Sequence, residues 1–248
     1  MISIKSSEDI ETLAQAGKLL GEILDTLVQE TVVGMTGSKL DAHAQEMMKK
    51  KGAIPVFLGY GNPPYPASIC VSVNEQVVHG IPNDTPFQEG DVVTIDAGLS
   101  LNGLIVDSAR TVGVGVLDPE HARLIDVTKR ALAAGIAQAI PGNHVGDISH
   151  AVQLLVEGEG FEVVRALVGH GVGYALHEDP QVPNFGTAGK GPLLKEGMVI
   201  AIEPMVTIGS PDVETAEDGW SIIAVSGQPA AQQEHTVAIT GQGPRILT

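Results

Sequence analysis

One cysteine, Cys70, stands in 248 residues, so no disulfide can form within the chain. Stability must come from a packed core, as expected in a reducing compartment. Basic residues are scarce as well: 14 Lys and Arg face 30 Asp and Glu, for a net charge of -16. A phosphate backbone is bound by a Lys/Arg surface, so nucleic acid is excluded as a general partner. No stretch approaches the roughly 20 apolar residues of a membrane span, and the opening MISIKSSEDIE meets acidic residues before any apolar signal core could form. No linker of Ser, Gly and Pro divides the chain. These absences leave a cytoplasmic protein read as a single domain over residues 1–248, long enough for a substantial core.

What is present is organised around Asp91 to Arg110, DVVTIDAGLSLNGLIVDSAR, two apolar runs either side of Asn102-Gly103. Asn-Gly between β-patterned runs signals a hairpin with a type I′ turn, because both central residues need positive φ. Counting outward, Leu101 faces Leu104, Gly98 faces Asp107 and Asp96 faces Ala109. Side chains alternate along a strand, so Asp96 and Asp107 share a face as diagonal neighbours, roughly 7 to 8 Å apart at the backbone. Gly98 is expected to leave the space opposite Asp107 open. Two carboxylates on an apolar sheet repel each other and resist desolvation unless a cation sits between them. The hairpin therefore reads as half of a metal site, provided its ladder carries no bulge.

Apolar residues at helical spacing from Ile10 to Leu27 predict a first helix, with Ser6 and Asp9 as a capping box. A second is predicted from Ser38 to the basic run Lys49, Lys50, Lys51 and the stop at Gly52. The loop GYGNPPYP over 59–66, a strand over 68–73 and a strand end at Val77–Pro82 precede the hairpin. The order then repeats: a helix from Asp118-Pro119 to about Ile140, one capped by Asp147 to about Val156, and strands over 162–168, 198–205, 220–225 and 234–239. Helices followed by strands, twice, predict an α+β fold of two pseudo-symmetric halves with the site at its centre.

Three further segments carry chemistry. GHGVG places His170 between glycines where backbone can approach a ligand, and His177 follows. Glu203 ends an apolar strand, held extended by Pro204, and Glu234 opens the last strand. Asp96, Asp107, His170, Glu203 and Glu234 are four carboxylates and one imidazole, a donor set that suits two divalent metals such as Co, Mn, Fe or Zn. A pair of such ions can hold a hydroxide between them for hydrolysis. Alone, each of these residues has a structural explanation; together they do not. His43, His121, His144 and His150 belong to helices or caps, and His235 should face away from Glu234.

The segments SICVSVNEQVVHGIP, DVVTIDAGLSLNGLIVDSAR, GHGVGYALHEDPQVPNF, IAIEPMV and QQEHTVAIT resemble those of type I methionine aminopeptidases over nearly the whole chain. The resemblance implies the pita-bread fold and a dinuclear metal centre on Asp96, Asp107, His170, Glu203 and Glu234. It implies removal of N-terminal methionine from nascent proteins and peptides with a small second residue, by an enzyme working as a monomer near the ribosome. His79 and His177 match family histidines that contact substrate, and Glu203 is the expected proton shuttle. Tyr60, Tyr65, Cys70, Leu176 and Trp220 are the expected methionine pocket. The loop from Tyr60 to Tyr65 is about two residues longer than in familiar bacterial members, and Leu176 replaces a common aromatic residue. Two rivals are weighed: a proline-specific exopeptidase, which usually carries a further N-terminal domain, and a non-catalytic pita-bread binding protein, which would have lost ligands present here.

Overall fold

The computed structural model describes residues 1–248. The first helical pattern closes as α1, Ser7–Glu30. Asp9 N donates to Ser6 Oγ at 3.1 Å and Ser6 N donates back to the Asp9 carboxylate at 2.9 Å, which satisfies two otherwise orphaned amides. Its apolar stripe, Leu13, Leu20, Leu24 and Leu27, is fully buried. It packs with Leu40 and Met48 of α2, Gly37–Lys50, against Ile95, Leu99 and Val106 of the hairpin. The N-cap of α2 is Thr36, just ahead of the predicted start.

α3, Pro119–Ala137, starts at the predicted Asp118 cap, where Glu120 N donates to Asp118 Oδ1 at 2.8 Å. α4 spans Val145–Gly158, and here the expected cap is displaced: His144 occupies the N-cap. Asp147 lies three residues inside, where its carboxylate accepts from His144 N at 2.7 Å. Its position as the acid of a capping pattern explains the confusion, because either member of the pair marks a helix start. This second helix pair packs Leu132, Ile136 and Ile148 against Ile200, Ile202, Val237 and Ile239.

All strand pairs are antiparallel. Strand Val92–Leu101 lies between Cys70–Val73 and Leu104–Gly113 in one sheet. A second, five-stranded sheet runs in the order Gly243–Ile246, His235–Thr240, Val199–Ile202, Val168–Gly171 and Glu178–Pro183. Each helix pair thus covers antiparallel strands, which gives the α+β, two-halved architecture that the repeated order of helices and strands predicted.

Two predicted strands divide. Residues 162–168 become Glu162–Val163 and the start of Val168–Gly171, and 198–205 breaks at Glu203-Pro204 into Val199–Ile202 and Met205–Thr207. The pieces join different sheets, and Pro204, without an N–H, cannot continue a ladder. The sheets are stitched together at the hairpin. Asp107 N donates to Thr236 Oγ1 at 3.0 Å, Ser108 Oγ donates to Glu234 O at 2.7 Å, and Glu234 N donates to Ala109 O at 3.1 Å.

Candidate metal centre

The hairpin has the expected register: Leu101 pairs with Leu104, Gly98 with Asp107 and Asp96 with Ala109, with no bulge along the ladder. Asn102 and Gly103 take φ of 53° and 81°, the left-handed pair that a type I′ turn requires. Asp96 and Asp107 therefore share one face. The space opposite Asp107 is not open, as the sequence suggested. A Cβ on Gly98 would lie 2.7 Å from Val56 Cγ2 and 2.9 Å from Phe57 Cε1, so the glycine admits side chains of the loop above.

His170 sits in the strand Val168–Gly171. Its flanking glycines serve the sheet more than a ligand: a Cβ on Gly169 would meet Ala201 O at 2.4 Å, and one on Gly171 would meet Asp179 O at 2.2 Å. His170 Nδ1 lies 2.9 Å from Gly171 O. A carbonyl only accepts, so Nδ1 carries the proton and Nε2 keeps its lone pair. That Nε2 lies 3.5 Å from Glu203 Oε1 and 3.9 Å from Asp107 Oδ2.

Glu203 follows the strand Val199–Ile202, and Glu234 immediately precedes His235–Thr240. Ligand atoms of Asp107, His170 and Glu234 lie within 4.8 Å of one another. Gln232, which sequence reasoning missed, donates from Nε2 to Glu203 Oε2 at 3.4 Å. A glutamine two residues before a candidate ligand is the one signal in the sequence that could have found it.

Asp96, Asp107, His170 and Glu234 are buried, and 12% of the Glu203 side chain is exposed. Burial is the main force raising the carboxylate pKa values. It lifts Asp96 to about 7, and with repulsion from neighbouring carboxylates it pushes Asp107, Glu203 and Glu234 well above their ordinary range. Burial draws His170 down to about 4. Asp96 Oδ1, Asp107 Oδ1 and Glu234 Oε1 are buried without a hydrogen-bond partner. Orphaned carboxylate oxygens converging beside a bare imidazole nitrogen are costly as they stand. A divalent cation satisfies them, and the oxygen-rich donor set with one nitrogen fits it.

Beside this cluster lies a cavity of about 260 Å³ that every one of the sequence-chosen site residues helps to line. Tyr65 is buried, donates to Gly80 O at 2.8 Å and meets Trp220 edge-to-face at 5.2 Å. Trp220 in turn faces His79, at 6.5 Å, whose backbone is left-handed at φ 60°. Leu176 and Cys70 are buried with Phe57. Burial first, then the charge of Asp96, keeps the Cys70 thiol protonated. Burial holds His79 at about 4 and lowers His177.

Tyr60 departs from a simple wall: it is 41% exposed, and its hydroxyl reaches His177 Nδ1 at 2.6 Å. Phe57, Leu167 and Met205 also line the cavity. They were not anticipated, because scattered apolar residues carry no signal that separates a pocket wall from core. His235 turns away as expected, its Nδ1 3.0 Å from Thr248 Oγ1.

A model of metallopeptidase family M24 matches residues 11–241. The methionine aminopeptidase of Clostridium perfringens is 48% identical over 249 residues, covering 100% of this chain and 99% of that protein. The crystal structure of the methionine aminopeptidase of Thermotoga maritima superposes with a TM-score of 0.97 at 44% identity, over 100% of this chain and 99% of the other. That of the Rickettsia prowazekii enzyme gives 0.97 at 38% identity, with both chains fully covered.

Proposed function

The chain belongs to metallopeptidase family M24, among its methionine aminopeptidases, and from that premise we propose how its residues divide the work of removing N-terminal methionine. Asp96, Asp107, His170, Glu203 and Glu234 hold two divalent cations, drawn from Co, Mn, Fe or Zn. Such a pair lowers the pKa of water and polarises a carbonyl. The observation that carries this reading is the set of orphaned, buried carboxylate oxygens lining the same cavity as the apolar pocket.

The protein's own groups supply the rest. Glu203 takes a proton from the attacking water and passes it to the leaving amine. His177 donates a hydrogen bond to the scissile carbonyl oxygen as charge develops there, and His79 steadies the scissile amide nitrogen. Tyr60, Tyr65, Cys70, Leu176 and Trp220 surround the methionine side chain, whose sulfur makes favourable contacts with aromatic edges. The second residue of the substrate is small. The two halves act as one catalytic domain, a cytoplasmic monomer meeting nascent chains near the ribosome. No helix is long and apolar enough to cross a membrane.

The test is metal analysis followed by an assay on Met-Ala-Ser against Xaa-Pro peptides. Two bound equivalents and cleavage of Met-Ala-Ser are expected. Preference for Xaa-Pro, or retention of full activity without metal, overturns the assignment.

A further inference from the structure

We infer that Tyr60 is a positioning residue that fixes the tautomer of His177, so that the imidazole presents Nε2–H to the substrate. The inference rests on His177 acting as a donor to the scissile carbonyl, and it adds how the chain makes it one. Tyr60 Oη stands 2.6 Å from His177 Nδ1, with the rings edge-to-face at 5.3 Å and 70°. Nδ1 is therefore occupied, and Nε2 is the ring nitrogen left for a ligand.

A neutral imidazole carries one N–H. If Nδ1 held it and donated to the tyrosine, Nε2 would turn a lone pair toward a carbonyl oxygen, and the contact would be repulsive. If Tyr60 donates instead, Nδ1 accepts and Nε2 carries the proton that the carbonyl needs. A phenol is a stronger donor than acceptor, because its oxygen lone pair is delocalised into the ring, so the tyrosine biases the equilibrium in the useful direction.

Both partners are held for this contact. Tyr60 belongs to a loop closed on itself: Tyr60 N donates to Phe57 O at 2.9 Å, Tyr65 N to Tyr60 O at 2.7 Å and Gly59 N to Tyr65 O at 2.8 Å. At Gly61 (φ +78°) the loop lies so close to the indole that a Cβ would stand 2.5 Å from Trp220 Cη2. On the other side, the Glu178 carboxylate accepts from Tyr174 N at 2.6 Å and Ala175 N at 3.0 Å, and it pairs with Lys5 Nζ at 2.7 Å. That anchor sits one residue from His177. A half-exposed tyrosine that only covered the pocket would not need its hydroxyl aimed at a ring nitrogen.

The first measurement is ¹⁵N NMR of the histidine side chains in the metal-free and the zinc-loaded protein. It is expected to show His177 with a lone pair at Nδ1 and a proton at Nε2. A proton at Nδ1, or at both nitrogens, overturns the inference without any variant. The second is Tyr60→Phe, which keeps the ring and removes only the hydroxyl. We expect a mixture of tautomers and a fall in kcat on Met-Ala-Ser of about tenfold, the scale of one hydrogen bond, with KM and metal content unchanged.

Unchanged kcat in Tyr60→Phe also overturns the inference. His177→Ala separates it from the reading beneath: a loss of about a hundredfold or more alongside an active Tyr60→Phe sinks the Tyr60 role alone. If His177→Ala keeps full kcat, the donor role of His177 itself is wrong.

Discussion

Asp96 and Asp107 are fixed by an unbroken antiparallel ladder, with the Glu234 strand bonded to its outer edge. Tyr60, Leu176 and His177 hang instead on loops held by a few side chains, chiefly Glu178, Lys5 and Trp220. The floor of the site is positioned by strand register, and a slip of one residue would carry every side chain to the opposite face. Its rim is positioned by loop conformation, which can vary in length and sequence while the floor stays put. Donor geometry and side-chain specificity are therefore separable in this molecule.

The largest effect lies at the floor. Enzyme accelerations run to about 10⁶-fold and more, and Asp107→Asn replaces a carboxylate of the proposed donor set on which that acceleration would rest, so turnover should fall by at least about 10³-fold. Bound metal should fall with it. The fold should survive, because the amide is isosteric and relieves part of the carboxylate repulsion. Retention of both metal and activity would show that the donors are not one unit.

This contrast also explains what could be read in the sequence. Asn102-Gly103 fixes the turn, the turn fixes the register, and the register brings Asp96 and Asp107 together, so half of the centre followed from local rules alone. His170, Glu203 and Glu234 were recognisable by residue type and motif, but their convergence depends on two sheets meeting. Gln232 and Phe57 escaped because they act through neighbours brought in from far along the chain. The contact of the Tyr60 hydroxyl with His177 escaped for the same reason: no spacing in the sequence places residue 60 against residue 177.

At the rim, Lys5 is the strongest test. Its ammonium and the Glu178 carboxylate are 2.7 Å apart, with side chains only 1% and 12% exposed. Burial lowers the Lys5 pKa, and Glu178 opposes the shift. Lys5→Met leaves that carboxylate without its cation, and breaking such a buried pair costs about 3 kcal/mol. Thermal unfolding should drop by about 6 to 12 °C in a chain of this size, while bound metal stays at its full count. Loss of metal in this variant would join rim and floor into one cooperative unit.

The metal-free protein offers a subtler expectation. Asp96 titrates near 7 when folded against 3.8 ordinarily, and Asp107, Glu203 and Glu234 are also raised. A raised carboxylate contributes stability that is fully present below its unfolded pKa and lost as pH rises through the folded one. The buried histidines, His79, His170 and His235, lie at about 4 against 6.5. Their contribution runs the other way, rising with pH between those values. The two oppose each other below pH 6.5, and above it only the carboxylate loss remains. Metal-free protein should therefore lose stability as pH rises from about 6.5 through 7, at up to about 1.4 kcal/mol per pH unit for the Asp96 proton. Metal-loaded protein should show no such slope, since bound cations keep the carboxylates ionised. Equal slopes with and without metal would place the titration elsewhere; urea unfolding at several pH values measures both.

The smallest expected effect concerns Leu176, which is buried with Phe57, Tyr65 and Cys70 and bears on side-chain choice alone. An apolar pocket discriminates by only about 1 to 3 kcal/mol per methylene, so norleucine, nearly isosteric with methionine, should be cleaved within about an order of magnitude of it. Leucine branches one carbon earlier and must displace a wall, which Leu176 permits more readily than a fixed ring would. Leu176→Phe adds volume to a filled cluster, and overpacking of this kind costs about 1 to 3 kcal/mol. Part of that cost falls on the branched substrate, so the leucine-to-methionine ratio of kcat/KM should drop about three- to tenfold, within the range of one methylene. Tripeptides beginning with Met, norleucine or Leu and sharing a second-position alanine measure the ratios directly, and metal content should not move. An unchanged leucine ratio would move the specificity-determining wall to Tyr65 or Trp220. A loss of metal in Leu176→Phe would show that the rim cannot be altered without disturbing the floor.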